Sequence, residues 1–215
     1  MINGFIFDLD GVIVNTEEHH YKAWKEIANK LNVDFNKSLN ENLKGLSRKE
    51  SLKKLLELNK KKISENEFVN FLIEKNKIYK SLIDGIDETN ILDGVQNILK
   101  IADKNNISVA IGSSSKNAKM ILKKLNLYNR FKIIIDGNMV TNPKPDPEVF
   151  IKAAKLMRKK IDECIVFEDA VSGIIAAERG GFKVIGVRNL NLKNRTDQFI
   201  NSLSEFRLDD YEKKI

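Results

Sequence analysis

The 215-residue sequence has little cysteine and proline and no long hydrophobic run, and each shortage excludes a class of protein. The single cysteine, Cys164, cannot form an internal disulfide, which favours a reducing compartment. Three prolines and eleven glycines argue against collagen-like or low-complexity chain. No apolar run approaches the roughly 18 residues of a membrane span, and Asp8 interrupts the apolar start too early for a signal peptide. We therefore expect a cytoplasmic protein with no membrane partner.

The charge balance is basic, with 37 Lys and Arg against 30 Asp and Glu and a formal net charge of +7. The longest basic runs, residues 60–62 and 158–160, are nevertheless short. Lysine outnumbers arginine, whereas base-edge recognition favours arginine. We interpret the excess as a lysine-rich solvated surface, which would also favour an anionic metabolite. No nucleic-acid partner is expected.

Hydrophobic periodicity divides the chain into a short strand, a helical segment and a segment in which helices and strands alternate. Residues 2–7 indicate a short buried strand, and residues 16–85 show only helical spacing. Beyond Gly85, helix-like segments alternate with strand-like runs, which is typical of a parallel sheet flanked by helices. The pattern predicts an α/β fold with a doubly wound, Rossmann-like core and a small α-helical cap inserted after the first strand. The core would comprise residues 1–15 and 86–215 and the cap residues 16–85. The tail, residues 197–215, is ambiguous, although Phe199 and Ile200 indicate a short strand.

Polar residues follow four of the predicted strands. Ligands of open parallel sheets bind at the carboxyl ends of the strands, so these residues are expected to meet at one edge. Carboxylates without nearby His or Cys suit Mg²⁺, whereas a lysine and a hydroxyl can hold a phosphoryl group. One Asp can attack phosphorus, and a second carboxylate two residues on can move a proton. The residues are Asp8 and Asp10, residues 113–117, residues 142–147, and Glu168 with Asp169.

Each of these segments also has a structural interpretation. An Asp-x-Asp pair can form a turn, residues 113–115 a hydroxyl-rich turn, and Glu168 with Asp169 a helix cap. The three prolines within residues 143–147 can start a helix, but they also restrict the backbone around Lys144. Four such segments in order, each after a strand-like run, favour a site for phosphoryl transfer.

The segments resemble the four motifs of the haloacid dehalogenase superfamily. The residues that carry the resemblance are 8–12, Ser113, residues 144–150 and Glu168 with Asp169, and the resemblance covers nearly the whole chain. Within the superfamily, residues 16–24, 43–48 and 113–117 are most similar to the β-phosphoglucomutase family. One departure is Asn15, where that family commonly has Asp.

The resemblance implies a role for each motif. Asp8 would become the aspartyl phosphate, and Asp10 would act as general acid and base. Ser113 and Lys144 would hold the transferring phosphoryl group. The expected Mg²⁺ ligands are Asp8, the Asp10 backbone carbonyl, Glu168 and Asp169.

The resemblance also implies a substrate-binding set. Thr16 would lie at the cap hinge, and His20 would couple cap closure to the placement of Asp10. Lys75 occupies the position of a further cap lysine in the family. Taken alone, Arg48 and Lys44 also fit ordinary surface charges, and His20 fits a packed histidine. The residues expected to bind the sugar and its distal phosphate are Lys44, Gly45, Leu46, Arg48, Ser115, Lys116 and Asn117.

The function implied is a Mg²⁺-dependent phosphomutase. It would interconvert β-glucose 1-phosphate and glucose 6-phosphate, with β-glucose 1,6-bisphosphate as primer and intermediate, and act as a monomer. A sugar-phosphate phosphatase is the main alternative, because only the acceptor of the phosphoryl group differs. A phosphate-receiving signalling domain is more remote, because its acceptor Asp follows a later strand and it has no helical cap.

Overall fold

A computed structural model describes residues 1–209. Within these residues, a parallel sheet of six strands forms the centre of the fold. The strands lie in the order β3-β2-β1-β4-β5-β6. The predicted α/β class with a doubly wound, Rossmann-like sheet is confirmed. The strands are β1 (Gly4–Phe7), β2 (Ser108–Gly112), β3 (Ile133–Ile135), β4 (Cys164–Glu168), β5 (Lys183–Val187) and β6 (Gln198–Ile200).

Helices lie on both faces of the sheet. Two of them, α5 (Val95–Lys104) and α6 (Ala118–Lys124), pack on the face that carries Phe5 and Phe7. The helices α7 (Glu148–Met157) and α8 (Val171–Arg179) pack on the opposite face, against Ile6. Because successive side chains of a strand point to opposite faces, the apolar β1 contributes to both cores.

Aromatic stacking fixes β1 beside β4. The rings of Phe7 and Phe167 are stacked with centroids 4.9 Å apart, and Phe5 meets Phe167 edge to face at 5.4 Å. All three side chains are fully buried. The residue after Phe7 is therefore held at the rim of a rigid part of the sheet.

The segment between β1 and α5 is helical, with a separate core. Its helices are α1 (Glu17–Leu31), α2 (Lys37–Glu41), α3 (Arg48–Leu58) and α4 (Glu65–Leu82). Trp24 and Ile27 of α1 pack there with Leu52 and Leu55 of α3. We call residues 17–82 the helical insertion. The division into a core of residues 1–15 and 86–215 and a cap of residues 16–85 stays a prediction.

The end of the chain agrees in part with the sequence pattern. Phe199 and Ile200 lie in β6, the short strand that they indicate. Residues 210–215 of the ambiguous tail lie outside the described residues. Among residues 1–209, no helix combines the length and the apolar character that crossing a membrane requires.

Candidate active site

The candidate site lies where the strand order reverses, at the carboxyl end of β1. The chain proceeds from β1 outward through β2 to β3, and then returns to the other side of β1 with β4. Asp8 follows β1, Ser113 follows β2, and Glu168 ends β4. Such a reversal opens a crevice at the carboxyl ends of parallel strands, where ligands of this fold class bind.

Lys144 forms two ion pairs beneath this crevice. Its Nζ lies 2.6 Å from Asp8 Oδ1 and 2.8 Å from Glu168 Oε2, and 4.7 Å from the centre of the Phe150 ring. The side chain is fully buried, and the peptide bond to Pro145 is cis. Burial would lower the pKa of Lys144, but the two carboxylates hold it above its ordinary value. The ammonium is therefore a fixed positive charge against Asp8.

Three buried carboxylates, those of Asp8, Glu168 and Asp169, surround one point of the crevice. Each offers an oxygen within 4.8 Å of the others. Glu168 Oε1 is fixed by the backbone N–H groups of Asp169 and Ala170, each 3.0 Å away. Burial raises the pKa of Asp8 to about 7, with Glu168 adding to the rise against the opposing effect of Lys144. Burial and Glu168 also raise the pKa of Asp169 well above its ordinary value.

This cluster fits a divalent cation. Its three carboxylates face one ammonium, so the ionised cluster carries an excess negative charge in a buried place. Oxygen ligands are those that Mg²⁺ prefers. From Asp10, only the backbone carbonyl is expected to bind the cation. The Asp10 carboxylate is hydrogen-bonded to Thr16 and Tyr79 instead.

Gly11 keeps this site open. Its φ is +89°, a value that L side chains rarely adopt, and a Cβ atom there would collide with the Asp169 carboxylate. The glycine of the Asp8 motif therefore allows the backbone to approach the acidic cluster closely.

Ser113 presents a hydroxyl beside the acidic cluster. The side chain is almost fully buried, and its Oγ accepts a hydrogen bond from the Ser115 N–H at 3.0 Å. Because that oxygen is already an acceptor, its own proton is available for an anionic ligand.

The Asp10 carboxylate points toward the helical insertion. Its Oδ1 accepts hydrogen bonds from the Thr16 hydroxyl and, at 3.4 Å, from the Tyr79 hydroxyl. His20 Nε2 lies 3.6 Å from the same oxygen. Burial would raise the pKa of Asp10, but the hydrogen bonds from His20 and Thr16 hold it below its ordinary value. Asp10 is thus kept ionised and oriented.

Lys75 lies behind His20. Its Nζ is 2.9 Å from His20 Nδ1 and stands over the rings of Trp24 and Tyr79, at 5.0 and 4.6 Å from their centres. Burial and the neighbouring Arg48 lower the pKa of Lys75 to about 7. The ionised Asp10 carboxylate can only accept, so the proton of neutral His20 lies on Nε2 and faces Asp10, while Nδ1 accepts from Lys75.

A second polar group lines the same crevice. Arg48, the first residue of α3, donates from Nη2 to Asn76 Oδ1 at 2.7 Å and from Nη1 to the Leu72 carbonyl at 3.3 Å. Asn117, which precedes α6, donates to the same Asn76 oxygen at 3.0 Å. Arg48, from the insertion, and Asn117, from the segment before α6, thus both donate to Asn76 Oδ1. Lys116 is exposed beside them.

The loop before α3 docks on the rim of the sheet. Ser114 Oγ donates to the Gly45 carbonyl at 2.8 Å, and Ser172 Oγ donates to the Lys44 carbonyl at 3.0 Å. The Lys44 ammonium pairs with Glu17 at 3.2 Å and with Glu41 at 2.9 Å. The insertion therefore closes over the crevice, and Lys44 already has two carboxylate partners.

The result is a cleft of about 410 Å³ between the insertion and the sheet. This volume suits a small metabolite. Thr16, Lys144 and Glu168 do not line it but contact residues that do. The predicted site residues that line the cleft are Asp8, Asp10, His20, Lys44, Gly45, Leu46, Arg48, Lys75, Ser113, Ser115, Lys116, Asn117 and Asp169.

Several lining residues are absent from the set that the sequence predicts, among them Tyr79, Asn76 and Glu17. Tyr79 belongs to the helical spacing of residues 16–85, which predicts packing, but its hydroxyl reaches Asp10. Asn76 lies outside every motif, and Glu17 lies in the motif segment 16–24 but has no predicted role. The spacing of Tyr79 four residues after Lys75 on one helix face is the local signal that could have identified it.

Comparisons with known proteins place the chain in a family. The sequence profile described as haloacid dehalogenase-like hydrolase matches residues 5–187. The chain therefore belongs to the haloacid dehalogenase-like hydrolase family. The crystal structure of a β-phosphoglucomutase from Clostridium difficile matches with a TM-score of 0.93 and 39% identity, covering 100% of this chain and 97% of that one.

Relatives in this family carry names of two activities. A β-phosphoglucomutase of Bacillus subtilis is 37% identical over 184 residues, which is 85% of this chain and 81% of the relative. A fructose-1-phosphate phosphatase of Escherichia coli is 30% identical over 188 residues, which is 87% of this chain and 97% of the relative. The predicted resemblance to the superfamily, and within it to β-phosphoglucomutases, is confirmed. The names leave mutase and phosphatase activity to be distinguished.

Proposed function

We propose that the protein is a Mg²⁺-dependent phosphomutase that interconverts β-glucose 1-phosphate and glucose 6-phosphate. Asp8 would carry the phosphoryl group, and β-glucose 1,6-bisphosphate would be both primer and intermediate. We propose further that it acts as a monomer on this small sugar phosphate. The 37% identity to the β-phosphoglucomutase of Bacillus subtilis supports this choice of reaction.

The observation that carries the proposal is the presence, in and beneath one cleft, of two groups of donor side chains that suit anions. At one end Ser113 and Asp8 line the cleft, and Lys144 lies beneath it, paired with Asp8. At the other end Arg48 and Asn117 converge, and arginine binds phosphate with two hydrogen bonds in a fixed orientation. A sugar that carries phosphate at both ends needs two such sites, because it must bind in either direction.

The first half-reaction transfers the phosphoryl group from Asp8 to the sugar. The 6-hydroxyl oxygen of β-glucose 1-phosphate attacks phosphorus, and the bond between phosphorus and the Asp8 oxygen breaks. Asp10, ionised because its pKa is low, takes the hydroxyl proton. His20 and Thr16 hold the Asp10 carboxylate in place for this transfer.

The second half-reaction restores the phosphorylated enzyme. The bisphosphate turns around, and Asp8 attacks the phosphorus at position 1 while the bond to the sugar oxygen breaks. Asp10 returns its proton to that oxygen, which yields glucose 6-phosphate. Asp10 thus accepts one proton in the first half-reaction and donates it in the second.

The surrounding groups assist both steps. Mg²⁺ held by Asp8, Glu168, Asp169 and the Asp10 backbone carbonyl would neutralise their charge and polarise the phosphoryl group. Lys144 and Ser113 would bind its oxygens. The docked loop at Lys44 and Gly45 limits the access of water, which would otherwise hydrolyse the acyl phosphate.

A sugar-phosphate phosphatase is the second candidate. The names of relatives such as the fructose-1-phosphate phosphatase of Escherichia coli favour it. The same aspartyl phosphate on Asp8 would form, but water would replace the sugar hydroxyl as acceptor.

A product assay tests the choice. Purified protein with Mg²⁺, β-glucose 1-phosphate and a trace of β-glucose 1,6-bisphosphate is followed for glucose 6-phosphate and for inorganic phosphate in the same sample. A mutase forms glucose 6-phosphate in large excess and stops without the bisphosphate. Stoichiometric release of phosphate and glucose would instead assign the phosphatase. The Asp8→Asn variant controls for contaminating enzymes.

A further inference from the structure

Asn76 occupies the point at which the two donors of the distal group meet. Its Oδ1 accepts a hydrogen bond from Arg48 at 2.7 Å and another from Asn117 at 3.0 Å. Arg48 lies on α3 and Asn76 on α4 of the insertion, whereas Asn117 lies outside the insertion, directly before α6. Asn76 is therefore the bridge between two groups that reach the cleft from different elements.

The chemistry of the partners assigns the atoms of this bridge. A guanidinium has only donors, so the Asn76 atom that faces Arg48 must be the amide oxygen. The Asn117 atom that faces the same oxygen must then be its NH₂ group. One neutral oxygen thus accepts from two donors, in the way that a phosphate oxygen would.

The neutrality of this acceptor matters for binding. Arg48 is partly buried and Asn117 is buried, so both require a partner when no anion is present. A carboxylate at position 76 would satisfy them but would cancel the positive charge of Arg48. An amide holds both donors in position and leaves that charge to attract an anion.

We infer that Asn76 is a positioning residue that substitutes for a phosphate oxygen and so preorganises Arg48 and Asn117 for the distal phosphate of the sugar. This role rests on the proposed function, because it requires a sugar phosphate that spans the cleft. Asn76 acts on affinity for the substrate, through Arg48 and Asn117, and leaves the chemistry at Asp8 unchanged.

Two variants separate this role from a merely structural one. Asn76→Ala removes the acceptor, and the affinity for glucose 6-phosphate is expected to fall about tenfold, because both donors lose their position. Asn76→Asp keeps the shape and both hydrogen bonds but neutralises Arg48, and the loss is expected to be on the order of 100-fold. A structural role predicts the opposite order, with the aspartate variant close to the native protein.

Binding can be measured without turnover. Trp24, the single tryptophan, lines the cleft, so its fluorescence reports titration of the Mg²⁺-loaded protein with glucose 6-phosphate. Asn70→Ala, an exposed position on the same helix, is the matched control and should bind like the native protein. Hydrolysis of p-nitrophenyl phosphate, which has no distal phosphate, should change less than threefold in both Asn76 variants.

The outcomes are distinct. Native affinity in both Asn76 variants, or weak binding by the alanine variant with native binding by the aspartate variant, would overturn the role of Asn76 alone. If the native protein binds no glucose 6-phosphate, both this role and the proposed function are wrong. The aspartate variant, which preserves both hydrogen bonds, carries the test if the alanine variant fails to fold.

Discussion

Replacing Asp8 by asparagine is expected to stabilise the metal-free protein at pH 8 while it abolishes turnover. Asp8 is only 4% exposed and lies with Glu168 and Asp169 in the acidic cluster. Lys144 pairs with Asp8 but also with Glu168, so the ammonium keeps a partner when Asp8 is neutral. An amide at position 8 therefore relieves more repulsion and desolvation than it loses in ion pairing.

The magnitude and its pH dependence follow from the pKa of Asp8. The rise from 3.8 to about 7 corresponds to about 4 kcal/mol in favour of the protonated carboxyl. Between these values the folded protein binds a proton that the unfolded chain has released, so stability falls as the pH rises. The advantage of Asp8→Asn over the native protein should therefore grow from about pH 4 to pH 7 and stay constant above.

Urea unfolding in EDTA at pH 5, 6, 7 and 8 measures this difference. Asp34→Asn, the same chemical change at an exposed aspartate, is the control and should follow the native protein at every pH. Mg²⁺ at pH 8 should stabilise the native protein more than the Asp8 variant. An Asp8→Asn protein that is less stable than the native one at pH 8 in EDTA would show that the pair with Lys144 outweighs burial, and would refute the reasoning.

Three further results are expected. Arg48→Ala should lower kcat/KM for β-glucose 1-phosphate on the order of 100-fold but hydrolysis of p-nitrophenyl phosphate less than threefold, and equal losses would exclude a distal role. EDTA should stop turnover and added Mg²⁺ should restore it, whereas continued turnover in EDTA would contradict a metal site at the acidic cluster. The pKa of Lys75 is lowered to about 7 in the folded protein, so between pH 7 and 10 Lys75 is protonated only in the unfolded chain. The stability of the native protein should therefore rise over this range relative to that of Lys75→Met. Parallel pH profiles in urea unfolding would contradict this.

Much of the fold could be predicted because its signals are local. The run of β1 is apolar, and that of β4 is apolar up to its last residue, Glu168, as expected of strands buried on both faces. Helical spacing persists through the insertion. The bounds were less predictable. Within residues 16–85 the helical spacing does not show that α3 starts at Arg48, where the Ser47 side chain caps the helix by accepting from the Glu50 N–H.

The motif residues near the strand ends could be predicted from topology, whereas the contacts between the insertion and the sheet could not. The meeting of Asn76 with Asn117 joins residues 41 positions apart in sequence, and no periodicity relates them. The same holds for the contact of Ser114 with the Gly45 carbonyl, which depends on how the insertion docks. The pairing of Glu17 with Lys44 likewise depends on tertiary placement.

The central position of β1 has a consequence for biosynthesis. Its partners on either side come late, since Gly4 pairs with Ser108 in β2 and with Cys164 in β4. During translation the first strand therefore leaves the ribosome long before it can find its neighbours, and such non-local pairing slows folding. The helices between them have their own apolar core and can collapse first. We expect the nascent chain to need protection of this exposed strand until β4 has been synthesised.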